Sequence, residues 1–294
     1  MVLRRSGSDA VGRLHPLDAL AQVWMRASSR RVGVDAVPWL VGPSADDRLV
    51  GHDWVDRVAA DLGGRVSRGP THGLLPSFAA LAGSTFDPRA VDDRIVDFYE
   101  HTSAWRMDLW SEWSPLAWPF GRAIAALWSH RLQQLSLPMR PLDVSFGMDS
   151  SVVHIHDHRD TVVGSAWLRT MRKTGETTYS GQYGTATLPG QTQPSVRVVF
   201  PLPRGSLPVF LSPSADSSRG LHLRSPLGPF GADGAYLVLN RTDGTLNARR
   251  IPIAEHFHVY ADDDGDLRTD HSLRLWGVPA VRLHYRMKRD PAQD

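Results

Sequence analysis

The chain has 294 residues, 41% of them hydrophobic and 22% charged, with a formal net charge of +2 and no cysteine. That balance is ordinary for a folded soluble protein, and the lack of cysteine excludes disulfides, thiolate nucleophiles, cysteine-ligated zinc and iron–sulfur clusters. Lys173 and Lys288 are the sole lysines among 33 basic residues. The arginine bias reads as codon composition, and with no basic cluster interleaved with aromatics it predicts no nucleic-acid partner.

Along the chain, residues 1–140 read as helical and tryptophan-rich. The arginine-rich N-terminus lacks the apolar core of a secretory signal. A first helix is predicted from Pro16, with Leu17, Leu20, Ala21 and Trp24 on one stripe. A second spans His52 to Leu62 with Trp54, Val55, Val58 and Ala59 together, and stops at Gly63-Gly64. Asp87 before Pro88 starts a third, carrying Val91, Ile95, Phe98, Tyr99 and Thr102. A fourth begins near Pro119 and ends before Pro138. The longest apolar run, Pro115 to Trp128, is broken by Pro119 and Arg122. It falls short of the roughly 18 residues that a span needs. The expectation is a cytoplasmic protein with no membrane span and at most weak association with a membrane surface.

From about Val152 the hydrophobic period becomes two. Val281, Leu283, Tyr285 and Met287 alternate with Arg282, His284, Arg286 and Lys288, and Leu221 and Leu223 alternate with His222 and Arg224. The segments 240–244 and 262–265 carry Asp-Gly turn signals between strand-like runs. Residues 148–289 are therefore predicted to be an antiparallel β region, separated from 1–140 by the loop Pro138 to Gly147, with one shared core. The fold class expected is α+β: a helical N-terminal half packed on a barrel-like C-terminal β half, of lipocalin-like or helix-grip-like architecture.

Two segments carry candidate chemistry. His154, His156 and His158 alternate with Ile155 and Asp157, and His256, His258 and Tyr260 flank Phe257 and Val259. On a strand each set projects from one face. The run from Gly147 to Gly164 resembles the first cupin motif in its order of glycine, His-x-His, acid and glycine. It departs from that motif in the Gly147 spacing and in Asp160 standing for glutamate, and no second motif follows, so the family is not carried over. Trp105, Trp110, Trp113, Trp118 and Trp128 crowd into a short stretch, which suits core packing, an apolar pocket wall or a membrane interface. Asp262 to Asp270 lacks the spacing of a calcium loop. Asp270 and His271, as neighbours on a strand, face opposite ways. No nucleophile elbow, phosphate loop or zincin helix is present.

The functional expectation is a cofactor-independent enzyme acting on a bulky hydrophobic small molecule by cyclisation, isomerisation or hydration. His156 and His258 are its predicted proton-transfer groups, with Tyr260 donating a hydrogen bond. Trp110, Trp113, Trp118 and His154 line the predicted ligand site, and neither metal nor cofactor is expected. Two alternatives stand beside it. One is a non-catalytic carrier of a lipid-like ligand; the other is a mononuclear metal enzyme using His154, His156 and His258. Each feature also has a structural reading, as a solvated strand face or as core.

Overall fold

The computed structural model describes residues 28–44, 53–113, 148–171 and 177–290. Within them lie fourteen strands and two α-helices, so the expected helical N-terminal half is overturned. The helices are short: α1 is Trp54–Asp61 and α2 is Asp93–Glu100. The stripe at 52–62 does form α1, which ends as Gly63 turns to φ 63°. Asp87 caps only a single 3₁₀ turn at Pro88–Ala90, and Asp92, accepting from the Arg94 N–H at 2.9 Å, starts α2. The helices predicted from Pro16 and Pro119, with Trp118 and Trp128, lie outside the described residues.

The described part of the tryptophan-rich stretch is not helical. Trp105–Trp113 is strand β3, with Trp105 and Leu109 buried and Trp110 exposed, a period of two rather than 3.6. The tryptophan positions had hidden the alternation of Trp105, Met107 and Leu109.

The other strands are β1 (Arg30–Gly33), β2 (Val66–Arg68), β4 (Met148–His156), β5 (Val162–Met171), β6 (Thr177–Ala186), β7 (Ser195–Leu202) and β8 (Gly205–Ala215). They continue as β9 (Leu221–Ser225), β10 (Gly234–Asn240), β11 (Thr245–Arg250), β12 (Ile253–Ala261), β13 (Leu267–Leu275) and β14 (Val278–Arg289). The main order is β2-β4-β5-β6-β7-β8-β9-β12-β13-β14-β3, and β10, β11 and β1 branch from β8. β2 and β3 end this path without pairing with each other, so the expected closed barrel is not formed among the described residues.

β8 is the fork. Its first half, Gly205 to Phe210, pairs with β10, while Ser212 to Ala215 pairs with β9. The β10–β11 hairpin thus leaves the sheet, and β12 returns beside β9. The main core collects Val152, Trp167, Val198, Phe200, Leu223 and Val259 with Phe98 and Tyr99 of α2. α1 covers the other face of β4 and β5, with Trp54 and Val55 against Val153, Ile155 and Leu168. On β12 the buried Val259 and the packed Phe257 face the main core, which turns His256, His258 and Tyr260 to the opposite, outer face.

Candidate metal centre

The outer-face histidines meet an acid supplied by the β8–β9 turn. His222 of β9 stands opposite His258 of β12, and their rings stack at 4.2 Å with 21° between planes. Asp216 follows β8 directly. Its Oδ1 accepts the N–H groups of Ser218 at 2.8 Å and Gly220 at 2.9 Å, which folds the turn. Its Oδ2 is left to face the histidines, 3.0 Å from His258 Nε2 and 3.3 Å from His222 Nε2.

The turn is held from outside as well. The Asp92 N–H, at the start of α2, donates to the Arg219 carbonyl at 2.8 Å. The Arg219 guanidinium donates to the Val91 carbonyl at 2.8 Å. Arg219 itself takes φ 63°, so a left-handed residue followed by glycine closes the hairpin.

Three ligand atoms, one each from Asp216, His222 and His258, lie within 4.8 Å of one another. Tetrahedral donors about 2.0–2.1 Å from a zinc-sized ion sit about 3.3 Å apart, so the two carboxylate–imidazole separations already suit an ion. Gly220, lacking a side chain, lets the turn approach these atoms closely. A Cβ there would come within 2.6 Å of Asp216 Oδ2 and 2.9 Å of His258 Nε2. Side-chain exposures of 16% for His222, 27% for Asp216 and 31% for His258 leave the group reachable from solvent.

The electrostatics favour an ionised Asp216 and a neutral His222. Burial pushes the Asp216 carboxyl up, but the Gly220 and Ser218 N–H groups and the His258 ring outweigh it and hold its pKa below the usual carboxylate value. Burial lowers His222, helped by the His258 and Arg224 charges. His256, 2.9 Å from His222 Nδ1 through its Nε2, is pushed down to about 4, first by burial and then by Arg224. A neutral His256 can accept from His222 Nδ1–H, which frees the His222 Nε2 lone pair for a metal.

The histidines expected to converge form two groups instead. β4 and β12 are separated in the sheet by β5, β6, β7, β8 and β9. His154 stacks on His72 at 3.9 Å, and its Nε2–H donates to the Gly73 carbonyl at 3.0 Å. His156 is buried, accepts from Ser67 Oγ at Nε2 (2.8 Å) and donates from Nδ1 to the Asp160 carbonyl (3.2 Å). His158 is exposed in the following loop. Tyr260 lies 4.8 Å from the His258 ring, its hydroxyl 3.4 Å from Asp270. Trp110 is 51% exposed on the outer face opposite His284. Trp113 ends β3 with its side chain outside the described atoms, as is all of Trp118. Asp216 was missed by sequence reasoning, and His222 was seen only as part of an alternating strand. The signal was present in Asp216-Ser217-Ser218-Arg219-Gly220, a hairpin turn whose first residue is an acid.

No protein-family model matches this chain, and no solved structure matches it. It is 27% identical over 243 residues to the "Uncharacterized membrane protein YndJ" of Bacillus subtilis (strain 168). The match covers 81% of this chain and 41% of that relative, so the chain spans about two fifths of the relative's length. The expected isomerase or cyclase inside a hydrophobic β-barrel pocket is thereby corrected. The sheet is open, and the relative is described only as a membrane protein, which gives no support to either activity. Among the described residues no helix is long and apolar enough to cross a membrane.

Proposed function

We propose that this chain is a metal-binding β-sheet domain that works beside a lipid bilayer. Asp216, His222 and His258 take one divalent transition-metal ion, and three protein ligands leave a coordination position open for water or a substrate oxygen. Two imidazoles and one carboxylate suit zinc, iron(II) or manganese better than calcium. The observation that carries this reading is the convergence of one carboxylate and two imidazoles at ligand-like separations, beside a glycine that puts no side chain among them. It replaces the expectation of no metal and moves the metal-enzyme alternative from His154 and His156 to Asp216 and His222, with His258 kept. His258 becomes a ligand rather than a proton-transfer group.

The bilayer placement draws support from the printed description of the relative as a membrane protein. It keeps the weak membrane-surface association expected from sequence. A hydrophobic ligand is no part of the reading, because the indole of Trp110, one of the residues expected to wall its site, faces outward.

The test is elemental analysis and calorimetric zinc titration of untagged full chain. About one equivalent is expected, lost in a His222→Ala/His258→Ala variant whose circular dichroism is unchanged. Stoichiometric binding that survives that double substitution sinks the assignment, as does failure of the unaltered chain to bind zinc, iron(II) or manganese.

A further inference from the structure

We infer that the end of the sheet formed by the β13–β14 turn docks on an anionic lipid bilayer, with the Trp276 indole as its anchor. The inference rests on the bilayer placement proposed above and not on the metal.

β13 and β14 are joined by two residues, Trp276 and Gly277, with Leu275 opposite Val278. Both connecting residues have positive φ, 51° and 81°. That is the pattern of a type I′ hairpin turn, whose first central position favours asparagine, aspartate or glycine. A bulky aromatic residue in the left-handed region is a steric outlier. Packing does not offset the cost, since Trp276 is 73% exposed, the most exposed of the large hydrophobic residues described. Strain kept at a solvent-facing indole points to a contact made outside the chain.

The neighbours give the contact its chemistry. The Trp276 N–H donates to the Pro252 carbonyl at 2.8 Å, which lays the β11–β12 turn alongside. Val278 is 52% exposed and Leu227 is 51% exposed. Leu227 lies just past Ser225, which faces Glu255, and Ile253 faces Leu275, so Leu227 belongs to the same end of the sheet. Arg224, Arg274 and Arg282 are exposed on the outer-face strands leading to this end, with Glu112 opposite Arg282. An apolar tip led by an indole and backed by an excess of arginines matches a headgroup region. The indole favours the interface between water and hydrocarbon, and the guanidinium groups are drawn to anionic lipid.

The experiment sediments the full chain with vesicles of phosphatidylcholine alone, and with vesicles of phosphatidylcholine mixed with phosphatidylglycerol. Binding is expected to the mixed vesicles and to weaken in high salt. Trp276→Asn should lower the vesicle partition coefficient about tenfold or more. The same substitution should raise the melting temperature, because Asn-Gly suits the turn. Arg274→Gln and Arg282→Gln should each weaken binding about fivefold. Undiminished binding by a folded Trp276→Asn variant overturns this surface but leaves the bilayer placement standing. If the unaltered chain sediments with neither vesicle, both fall.

Discussion

Two histidine clusters occupy different parts of this sheet, and they differ in what their ring nitrogens are given to do. On β4, His156 uses both nitrogens on Ser67 and the Asp160 carbonyl, and His154 donates to the Gly73 carbonyl. Between β9 and β12, the imidazoles converge on a carboxylate, with Gly220 and its missing side chain beside it. Imidazoles consumed by backbone and hydroxyl partners hold the fold together. A ligand site needs an anion and imidazole nitrogens turned towards it. His-x-His alone separates neither case, since both clusters carry one.

The sharpest way to break the comparison is to delete each cluster in turn. His222→Ala/His258→Ala should abolish zinc binding, a loss of at least about 10²-fold, since it leaves one protein ligand. His154→Ala/His156→Ala should leave affinity within about twofold while lowering the melting temperature, because it leaves Ser67 and Gly73 without their partners. Equal losses of zinc in both variants would mean that the clusters act as one site.

Filling the space should come next in size. Gly220→Ala keeps every ligand but puts a methyl group within 2.6 Å of Asp216 Oδ2. Zinc affinity is expected to fall about 10–100-fold with the fold intact; undiminished affinity would show that no ion sits beside Gly220. His256→Ala should cost about tenfold by removing the acceptor that orients His222, and His256→Gln should recover part of the loss. Recovery is the readout that a purely structural role would not produce.

The smallest effect concerns pH and the β4 cluster. Burial lowers the pKa of His154, and of His72 together with the His156 charge. Below the ordinary imidazole value near 6.5 the unfolded chain therefore takes up protons that the folded chain resists. Stability from this pair is complete above that value and is lost as pH falls towards the lowered folded pKa values. The melting temperature should drop by a few degrees between about pH 7 and pH 5. A His154→Gln variant should show a shallower drop, and an unchanged slope would remove this cluster as the cause.

Local geometry was the legible part of this chain. The stripe at 52–62 makes α1, the alternation around Phe257 sets the two faces of β12, and the turns at 240–244 and 262–265 connect β10 to β11 and β12 to β13. Asp270 and His271 do serve opposite faces, pairing with His284 and Glu255. What the sequence hid was non-local. His222 meets His256 from 34 positions away because the β10–β11 hairpin leaves the sheet at β8, and no periodicity within β9 or β12 reports that. In the N-terminal half, tryptophans spaced like a helical stripe disguised β3, whose neighbour β14 lies at the far end of the chain.

The fork at β8 also has a kinetic consequence. Asp216 and His222 come together as soon as the local β8–β9 hairpin closes, whereas His258 arrives only after the intervening hairpin has been set aside, 42 positions beyond Asp216. Closing that longer loop carries an entropic cost that grows as about (3/2)RT ln n, so the β9–β12 pairing forms late on the folding path. An ion held between the β8–β9 hairpin and β12 would then be bound in the native state and hardly at all in the transition state. It would slow unfolding while leaving the folding rate nearly unchanged, acting as a latch on a sheet that is already assembled.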